Sequence, residues 1–344
     1  MTELRALTGM RGVAAWFVVL YHIRLSIAGL PTVIRDVLAK GYLAVDFFFL
    51  LSGFVIWLSW GERLRRDGWR AVPGFLRRRM ARIWPLHLVM LVAAVMLAGA
   101  LALTGRGDPA DYPWGELPLH VMLVQNWGFT DRLTWNDPAW SISTELAAYL
   151  LFPLLVMAVD WRRLATGWLV AVAVGLVAGL HAAMADAPTL GTDIWRYGLV
   201  RCLFEFALGT VMCALWLRWR DRPAPMPGAI LVAAGLGAGL IAGAAETLVV
   251  PALFAVLLLA LALSSGRSGN PLEGHLVHAL GEVSYATYLA HFLLWVAFKL
   301  AFVTDARSVP WWSVVVYLLL VLAASVALYR HVERPAQRWI SRKG

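Results

Sequence analysis

Five ionisable residues lie well inside long apolar runs of the chain: His22, Asp46, Glu145, Glu205 and His291. Charged and titratable groups are costly in lipid and are rare there unless they have polar partners or contact water. Each of the five is therefore a candidate for a functional site. Histidines and carboxylates transfer protons in many enzymes, so this set of residues indicates proton-transfer chemistry inside a membrane.

The clearest pattern joins Arg11 and His22 on the first apolar run. Eleven positions separate them, which is almost three helical turns, so both side chains lie on one face about 16 Å apart along the axis. Arg11 lies at one membrane surface, where it could meet a phosphate, and His22 lies past the midplane. An extended acyl thioester with a charged head group has the length to span that gap.

Two carboxylates are predicted at the depth of His22. Asp46 lies about six residues below the outer end of the second apolar run, on the antiparallel neighbour of the first. Glu145 lies near the outer end of the fourth run and shares that depth. A carboxylate next to an imidazole orients the ring and favours its protonated form, the usual arrangement for a general base that acts on a hydroxyl group. The alternative is that both carboxylates only hydrogen-bond neighbouring helices.

Two further sets of polar residues occur on predicted helices. Ser284, Tyr288 and His291 follow one another at i, i+4 and i+7 and form one polar stripe, which should face the interior. His291 is either functional or a core histidine that bonds a serine or a backbone carbonyl. Arg201 and Glu205, at i and i+4, predict an internal ion pair that fixes packing rather than a catalytic pair.

The segment WRAVPGFLRRRMARIWP precedes the third apolar run and holds more arginine than membrane orientation requires: Arg77, Arg78, Arg79 and Arg82. Guanidinium groups bind phosphate through paired hydrogen bonds. At i and i+3, Arg79 and Arg82 would present two such groups on one face, suited to the phosphates of a nucleotide-bearing carrier. The alternative is a cluster that sets topology and touches anionic lipid.

The elements that position these residues must be membrane helices. Hydrophobic residues make up 60% of the 344, and charged residues make up 15%, a balance that excludes a water-soluble domain. Apolar windows of roughly 18–23 residues predict an all-α membrane protein with about ten transmembrane helices in a single domain, residues 1–344. The predicted spans are 9–29, 41–60, 83–104, 142–159, 164–184, 197–217, 228–245, 248–264, 281–303 and 311–330.

Lysine and arginine collect at the N-terminus, in alternate loops and at the C-terminus, which predicts that both termini face the cytoplasm. The longest outer loop, 105–140, is acidic and rich in proline and tryptophan, so an extracytoplasmic acceptor is expected to bind there. Orientation explains the net charge of +9, and nucleic acid is not an expected partner. The sequence has no GxGxxG, P-loop or Cys/His metal spacing, which argues against Rossmann cofactors, ATP hydrolysis and a metal site.

Six segments follow one another between Leu4 and Pro335: LRALTGMRGVAAWFVVLYH, GYLAVDFFFLLSGFVIW, RRRMARIWP, WNDPAWSISTELAAYLLFP, GEVSYATYLAH and ERP. Taken together and in this order, they resemble the signatures of the acyltransferase-3 family of bacterial integral membrane acyltransferases. That family includes O-antigen and exopolysaccharide O-acetylases. Some of its members have an additional hydrolase-like domain after the membrane part, which this chain is expected to lack.

The resemblance implies a ten-helix fold, acyl-coenzyme A as co-substrate and His22 as the essential catalytic residue, with Arg11 supporting it. Asp46 and Glu145 remain the candidates for orienting His22. Arginines expected to hold the donor are Arg11, Arg78, Arg79 and Arg82. Residues expected to bind the acceptor or line the pocket are Ser52, Trp140, Ser141, Ser284, Tyr285, Tyr288 and His291.

These observations predict a multi-pass enzyme of the bacterial inner membrane. It would move an acyl group, most simply acetyl, from cytosolic acyl-CoA to a sugar hydroxyl of a polysaccharide, lipopolysaccharide, glycolipid or glycosylated metabolite. Membrane lipid and polysaccharide-assembly proteins are the other expected partners. His22 acts either as a general base in direct transfer or as the carrier of the acyl group. The rival interpretations are a transporter or flippase with a proton relay and a structural subunit of an export assembly.

Overall fold

The computed structural model describes residues 4–222, 225–267 and 269–342. Within these ranges the chain folds into helices and short helical turns, and its single β-bridge joins Ile27 to Val309. The α-helices are α1 (Arg5–Ile23), α2 (Thr32–Ala39), α3 (Ala44–Asp67), α4 (Val72–Thr104), α5 (Leu117–Met122), α6 (Ala139–Ala158), α7 (Thr166–Ala183), α8 (Ile194–Trp219), α9 (Pro225–Ile241), α10 (Glu246–Ser264), α11 (His275–Glu282), α12 (Ser284–Phe302), α13 (Trp311–Leu328) and α14 (Arg334–Arg342).

Several of these helices are long and apolar enough to cross a membrane, so the predicted all-α membrane fold is confirmed. The eight such stretches of the described chain are Arg5–Ile23, Thr32–Thr104, Ala139–Ala158, Thr166–Ala183, Ile194–Trp219, Glu246–Ser264, Ser284–Phe302 and Trp311–Ile340. Thr32–Thr104 contains both α3 and α4 and so covers two predicted spans, and a shorter apolar helix, Met226–Ile241, covers another. Every predicted span overlaps one of these helices. The number of crossings and the cytoplasmic termini stay predictions.

The first helix begins and ends earlier than the predicted span 9–29. It ends at Ile23, after which the chain turns through Gly29, whose φ is +67°, and enters Pro31 before α2. A positive φ is a conformation that glycine adopts without strain, and proline has no amide hydrogen to continue a helix. His22 therefore lies in the last turn of α1 rather than in the middle of a span.

Helices α3 and α8 are in close backbone contact through two glycines. A Cβ atom on Gly53 would lie 1.9 Å from the carbonyl oxygen of Phe206, and one on Gly209 would lie 1.9 Å from that of Leu50. Small residues allow such approach between membrane helices, where packing rather than exclusion of water drives association. The contact fixes which face of α3 meets α8.

Helix α1 is held against α11 in the same way. A Cβ atom on Gly281 would lie 1.9 Å from the carbonyl oxygen of Thr8, and one on Gly12 would lie 2.8 Å from the amide nitrogen of Gly281. Because α12 begins at Ser284, directly after α11, this contact brings the polar stripe of α12 next to the arginine and histidine of α1.

Candidate active site

His22 is hydrogen-bonded through one ring nitrogen to a second histidine. Its Nδ1 lies 3.0 Å from the carbonyl oxygen of Val18 and 3.2 Å from Nε2 of His291. His291 in turn has Nδ1 2.7 Å from the carbonyl oxygen of Tyr288. A carbonyl oxygen only accepts, so Nδ1 carries the hydrogen in both rings and Nε2 of His291 accepts from His22. This leaves the lone pair of His22 Nε2 free to take a proton.

The carboxylate that faces this free nitrogen is Asp137, at the end of the predicted outer loop just before α6. Its Oδ2 lies 3.7 Å from Nε2 of His22, and the two side chains are 33% and 17% exposed. A proton taken up by Nε2 would therefore sit next to a negative charge. Asp137 belongs to the acidic loop 105–140, but it was not predicted to be a partner of His22.

The predicted pairing of His22 with Asp46 is wrong. Both Nε and Nη2 of Arg201 donate to Oδ1 of Asp46, at 3.1 and 2.7 Å, and both side chains are almost completely buried. Asp46 lies two helical turns from Gly53, and Arg201 lies a little over two turns from Gly209, so both occupy the faces that the α3–α8 contact brings together. Arg201 therefore pairs with Asp46 of α3, and the predicted ion pair between Arg201 and Glu205 is wrong.

Glu145, the other carboxylate predicted near His22, lies elsewhere. It accepts a hydrogen bond from Oγ of Ser52 and, together with Tyr149, lines a cavity on the other side of Val45 from His22. Glu145 and Tyr149 are one turn apart on α6 and so share one helix face, and both line this cavity.

This cavity measures about 210 Å³, and we call it the arginine cavity. Its lining includes three guanidinium groups, those of Arg11, Arg79 and Arg82. Predicted site residues that also line it are Ser52, Ser141, Glu145, Ser284, Tyr285 and Tyr288. Its charge suits an anionic ligand, since guanidinium groups bind phosphate through paired hydrogen bonds.

His22 opens onto a second, smaller cavity of about 60 Å³, the histidine pocket. Its polar lining comes from Tyr21, His22, Tyr42, Asp137, Arg201 and Tyr288, with Trp140 as an aromatic wall. Val45 and Tyr288 line both this pocket and the arginine cavity. The two cavities therefore adjoin, with these two side chains in the walls of both.

Side chains of α12 hold the boundary between the cavities in place. Tyr288 has its hydroxyl 2.8 Å from Oγ of Ser141 and 3.1 Å from the carbonyl oxygen of Pro138, to which it donates. One turn earlier, Nη2 of Arg11 donates to Oγ of Ser284 at 3.1 Å. The predicted polar stripe thus contacts α1 and α6 at once, as expected of a stripe that faces the interior.

Arg82 is anchored by Glu333, which was not among the predicted site residues. It forms an ion pair with Glu333, which is completely buried, and its guanidinium lies 5.5 Å from the ring centre of Tyr285. Tyr285 in turn donates to the carbonyl oxygen of Ile83 at 2.6 Å. Glu333 ends a π-helical segment, Tyr329–Glu333, a type of helix irregularity common at functional sites. The only sequence signal for Glu333 was its place in the ERP segment.

Arg78 does not line either cavity. Its guanidinium lies 5.3 Å from the ring centre of Trp60 in α3. Successive side chains on a helix point about 100° apart, so Arg78 and Arg79 cannot share one direction. The lining of the arginine cavity contains Arg79 and omits Arg78, and donor binding by either arginine stays a prediction.

Comparison with known proteins decides what kind of enzyme carries this site. Residues 4–330 match the acyltransferase-3 family model, whose description is "Acyltransferase domain". The chain belongs to the acyltransferase-3 family. It is therefore a multi-pass membrane acyltransferase, as the six segments predicted.

Relatives agree with this assignment to the acyltransferase-3 family. The acyltransferase MdmB of Streptomyces mycarofaciens is 36% identical over 321 residues, which cover 86% of this chain and 79% of that protein. A protein of Staphylococcus aureus (strain COL), named as a candidate O-acetyltransferase, is 23% identical over 46% of this chain and 25% of its own length. No solved structure matches the chain.

Proposed function

We propose that this acyltransferase moves an acyl group, most simply acetyl, from cytosolic acyl-CoA to a sugar hydroxyl presented at the outer face of the bacterial inner membrane. One observation carries the proposal. A cavity lined by three arginines and a pocket that holds His22 share Val45 and Tyr288 in their walls. A donor with phosphates at one end and a thioester at the other fits the first cavity, and the acceptor hydroxyl fits the second.

The donor would enter from the side of Arg11, which the positive-inside rule assigns to the cytoplasm. Its phosphates would bind Arg79 and Arg82, with Arg11 in the same lining. Glu333 keeps the guanidinium of Arg82 oriented. Since Arg82 and Glu333 cancel each other's charge, Arg79 is the better source of net attraction for phosphate.

In the proposed reaction, Nε2 of His22 removes the proton from the acceptor hydroxyl group while the hydroxyl oxygen attacks the carbonyl carbon of the thioester. A new C–O bond forms, the C–S bond breaks, and the imidazolium returns the proton to the sulfur, which leaves as the thiol. Asp137 stabilises the imidazolium between these two proton transfers, and His291 keeps the hydrogen on Nδ1. General-base assistance of this kind contributes roughly 10²–10⁴-fold to the rate.

The alternative chemical route is an acyl-histidine intermediate, in which Nε2 itself attacks the thioester before the acceptor arrives. The same free lone pair would serve that route. A single-turnover experiment without acceptor distinguishes the two, because only the second route leaves labelled acyl groups on the protein.

The function is tested by incubating the purified protein with radiolabelled acetyl-CoA, with and without lipid extract from its host. We expect labelled glycan or glycolipid with the wild type and none with His22→Ala. The matched control is His181→Ala, which removes a half-buried imidazole of α7 that bonds Thr247 and lines neither cavity. Normal turnover by folded His22→Ala would overturn the catalytic role. Substrate movement without any labelled product would instead support a transporter.

A further inference from the structure

A third pocket adjoins the histidine pocket on the side of the outer loop. We call it the amide pocket because Gln125, Asn126 and Asn136 contribute to its walls. Asp137 and Trp140 line both this pocket and the histidine pocket. A ligand with one hydroxyl at His22 could therefore extend a second group into the amide pocket.

The orientation of all three amides is fixed by their neighbours. Each side-chain nitrogen donates to a main-chain carbonyl: Gln125 to Ala139 at 3.3 Å, Asn126 to Ile194 at 3.2 Å and Asn136 to Leu289 at 3.0 Å. A carbonyl oxygen cannot donate, so the nitrogen and not the oxygen of each amide must face it. The oxygens are thereby directed away from these partners.

These amide oxygens are buried acceptors without a hydrogen bond. The three side chains are 5%, 2% and 3% exposed, and their oxygens, like Oδ1 of Asp137, have no partner within the described residues. Unpaired buried acceptors are costly and rare in folded proteins. Four of them around two adjoining pockets indicate a ligand that brings its own donors.

The threonine hydroxyl groups that line the amide pocket already donate to other acceptors. Oγ1 of Thr130 donates to the main-chain oxygen of Gln125, and Oγ1 of Thr134 donates to Glu116. His120, which also lines the pocket, has its pKa lowered to about 4 by burial and by a neighbouring histidine. It is therefore neutral at pH 7. Arg132 also lines the pocket, but it is 56% exposed and its Nε donates to Asp131. The buried part of the lining is therefore rich in acceptors, which favours a ligand hydroxyl group.

We infer that the amide pocket is the second half of the acceptor site and binds a hydroxyl of the acceptor that is not acylated. The pocket has a volume of about 10 Å³, close to what one water-sized group needs, so it accommodates one hydroxyl rather than a second ring. The acceptor would then be a polyhydroxylated ring and not a simple alcohol. This inference rests on the proposed function and specifies its acceptor.

The test compares acceptors that differ by one hydroxyl. Acetyl transfer from acetyl-CoA would be measured to cyclohexanol, to cyclohexane-1,2-diol and to host lipid extract. Wild type should prefer the diol by at least about tenfold in kcat/KM, because a site built around a hydroxyl rejects analogues that lack it. Gln125→Met, which keeps the size of the side chain and removes its acceptor, should reduce that preference towards one, because only the diol has a hydroxyl group that could bind there.

Asn126→Ala is the independent variant should Gln125→Met fail to fold, and it should reduce the preference in the same way. Ser325→Ala is the matched control, because it removes a completely buried hydroxyl that bonds Thr287 and lines none of the three pockets. It should lower thermal stability and leave the preference intact. Equal use of both alcohols by wild type, or an unchanged preference in both amide variants, would overturn the inference. Absence of transfer to every acceptor, lipid extract included, would instead overturn the proposed function.

Discussion

Replacing Asp137 with asparagine tests how much its carboxylate contributes, because the amide keeps the size of the side chain and removes the charge. Oδ2 of Asp137 lies 3.7 Å from Nε2 of His22. At that separation two unit charges attract by about 1 kcal/mol in water and about 4 kcal/mol at an effective dielectric constant of ~20. The pair is partly exposed and lies between these limits. If the imidazolium forms during transfer, kcat should fall roughly 10- to 10³-fold.

The assay is acetyl transfer from radiolabelled acetyl-CoA, with kcat and the KM for acetyl-CoA measured separately. The KM should stay near the wild-type value, because Asp137 does not line the arginine cavity. Asp131→Asn is the matched control, since it removes a 75% exposed carboxylate from the same loop and should leave kcat unchanged. Wild-type kcat in folded, inserted Asp137→Asn would refute the reasoning, because no charge would then be needed next to His22.

Three further predictions follow from other parts of the structure. Arg79→Gln should raise the KM for acetyl-CoA about 10- to 100-fold, because it removes a charge-assisted hydrogen bond to the donor. Arg78→Gln should change the KM far less, because the guanidinium of Arg78 lies over a tryptophan. Equal effects of the two substitutions would contradict the assignment of Arg79 to the cavity. Burial and a neighbouring histidine lower the pKa of His120 to about 4, whereas the unfolded residue titrates near about 6.5. Below about pH 6.5 the imidazole of His120 binds a proton in the unfolded state but not in the folded state. The free energy of unfolding should therefore fall by up to about 3 kcal/mol between pH 6.5 and pH 4. Thermal unfolding of His120→Asn should show a smaller loss over the same range, and an unchanged loss would assign it to other groups. Gly53→Ala, whose Cβ would lie 1.9 Å from a carbonyl oxygen of α8, should destabilise the protein by about 1–3 kcal/mol or more. Gly99→Ala, whose Cβ meets no atom within 4 Å, should not destabilise it, and similar melting temperatures for the two variants would contradict the close helix contact.

Relations within one helix could be predicted from the sequence, because helical periodicity fixes them. Arg11 and His22 were placed on one face of the first helix, and they line adjoining cavities. Ser284, Tyr288 and His291 were placed on one interior stripe, and all three contact residues of other helices. The helix ends were less accurate, since His22 lies in the last turn of α1, whereas the predicted span continues to residue 29.

Relations between helices could not be predicted in the same way, because similar depth in the membrane does not determine which faces meet. Asp46 was placed near His22 by depth alone, yet the glycine contact between α3 and α8 turns Asp46 towards Arg201. Glu145 was placed by the same argument and lies instead against Ser52. A depth estimate has no information on rotation about the helix axis, and rotation decided both cases.

By itself, the sequence determined that the chain is a helical membrane protein, that it belongs to the acyltransferase-3 family, and that Arg11 and His22 share one helix face. Composition, periodicity and motif order are properties of the chain read locally, so they need no knowledge of packing. Only the tertiary structure decided that Asp137 faces His22, that Glu333 anchors Arg82, and that three amides present unpaired oxygens next to the histidine pocket. These contacts join residues far apart in the sequence. Their geometry depends on the rotation and close packing of several helices at once, which no local pattern specifies.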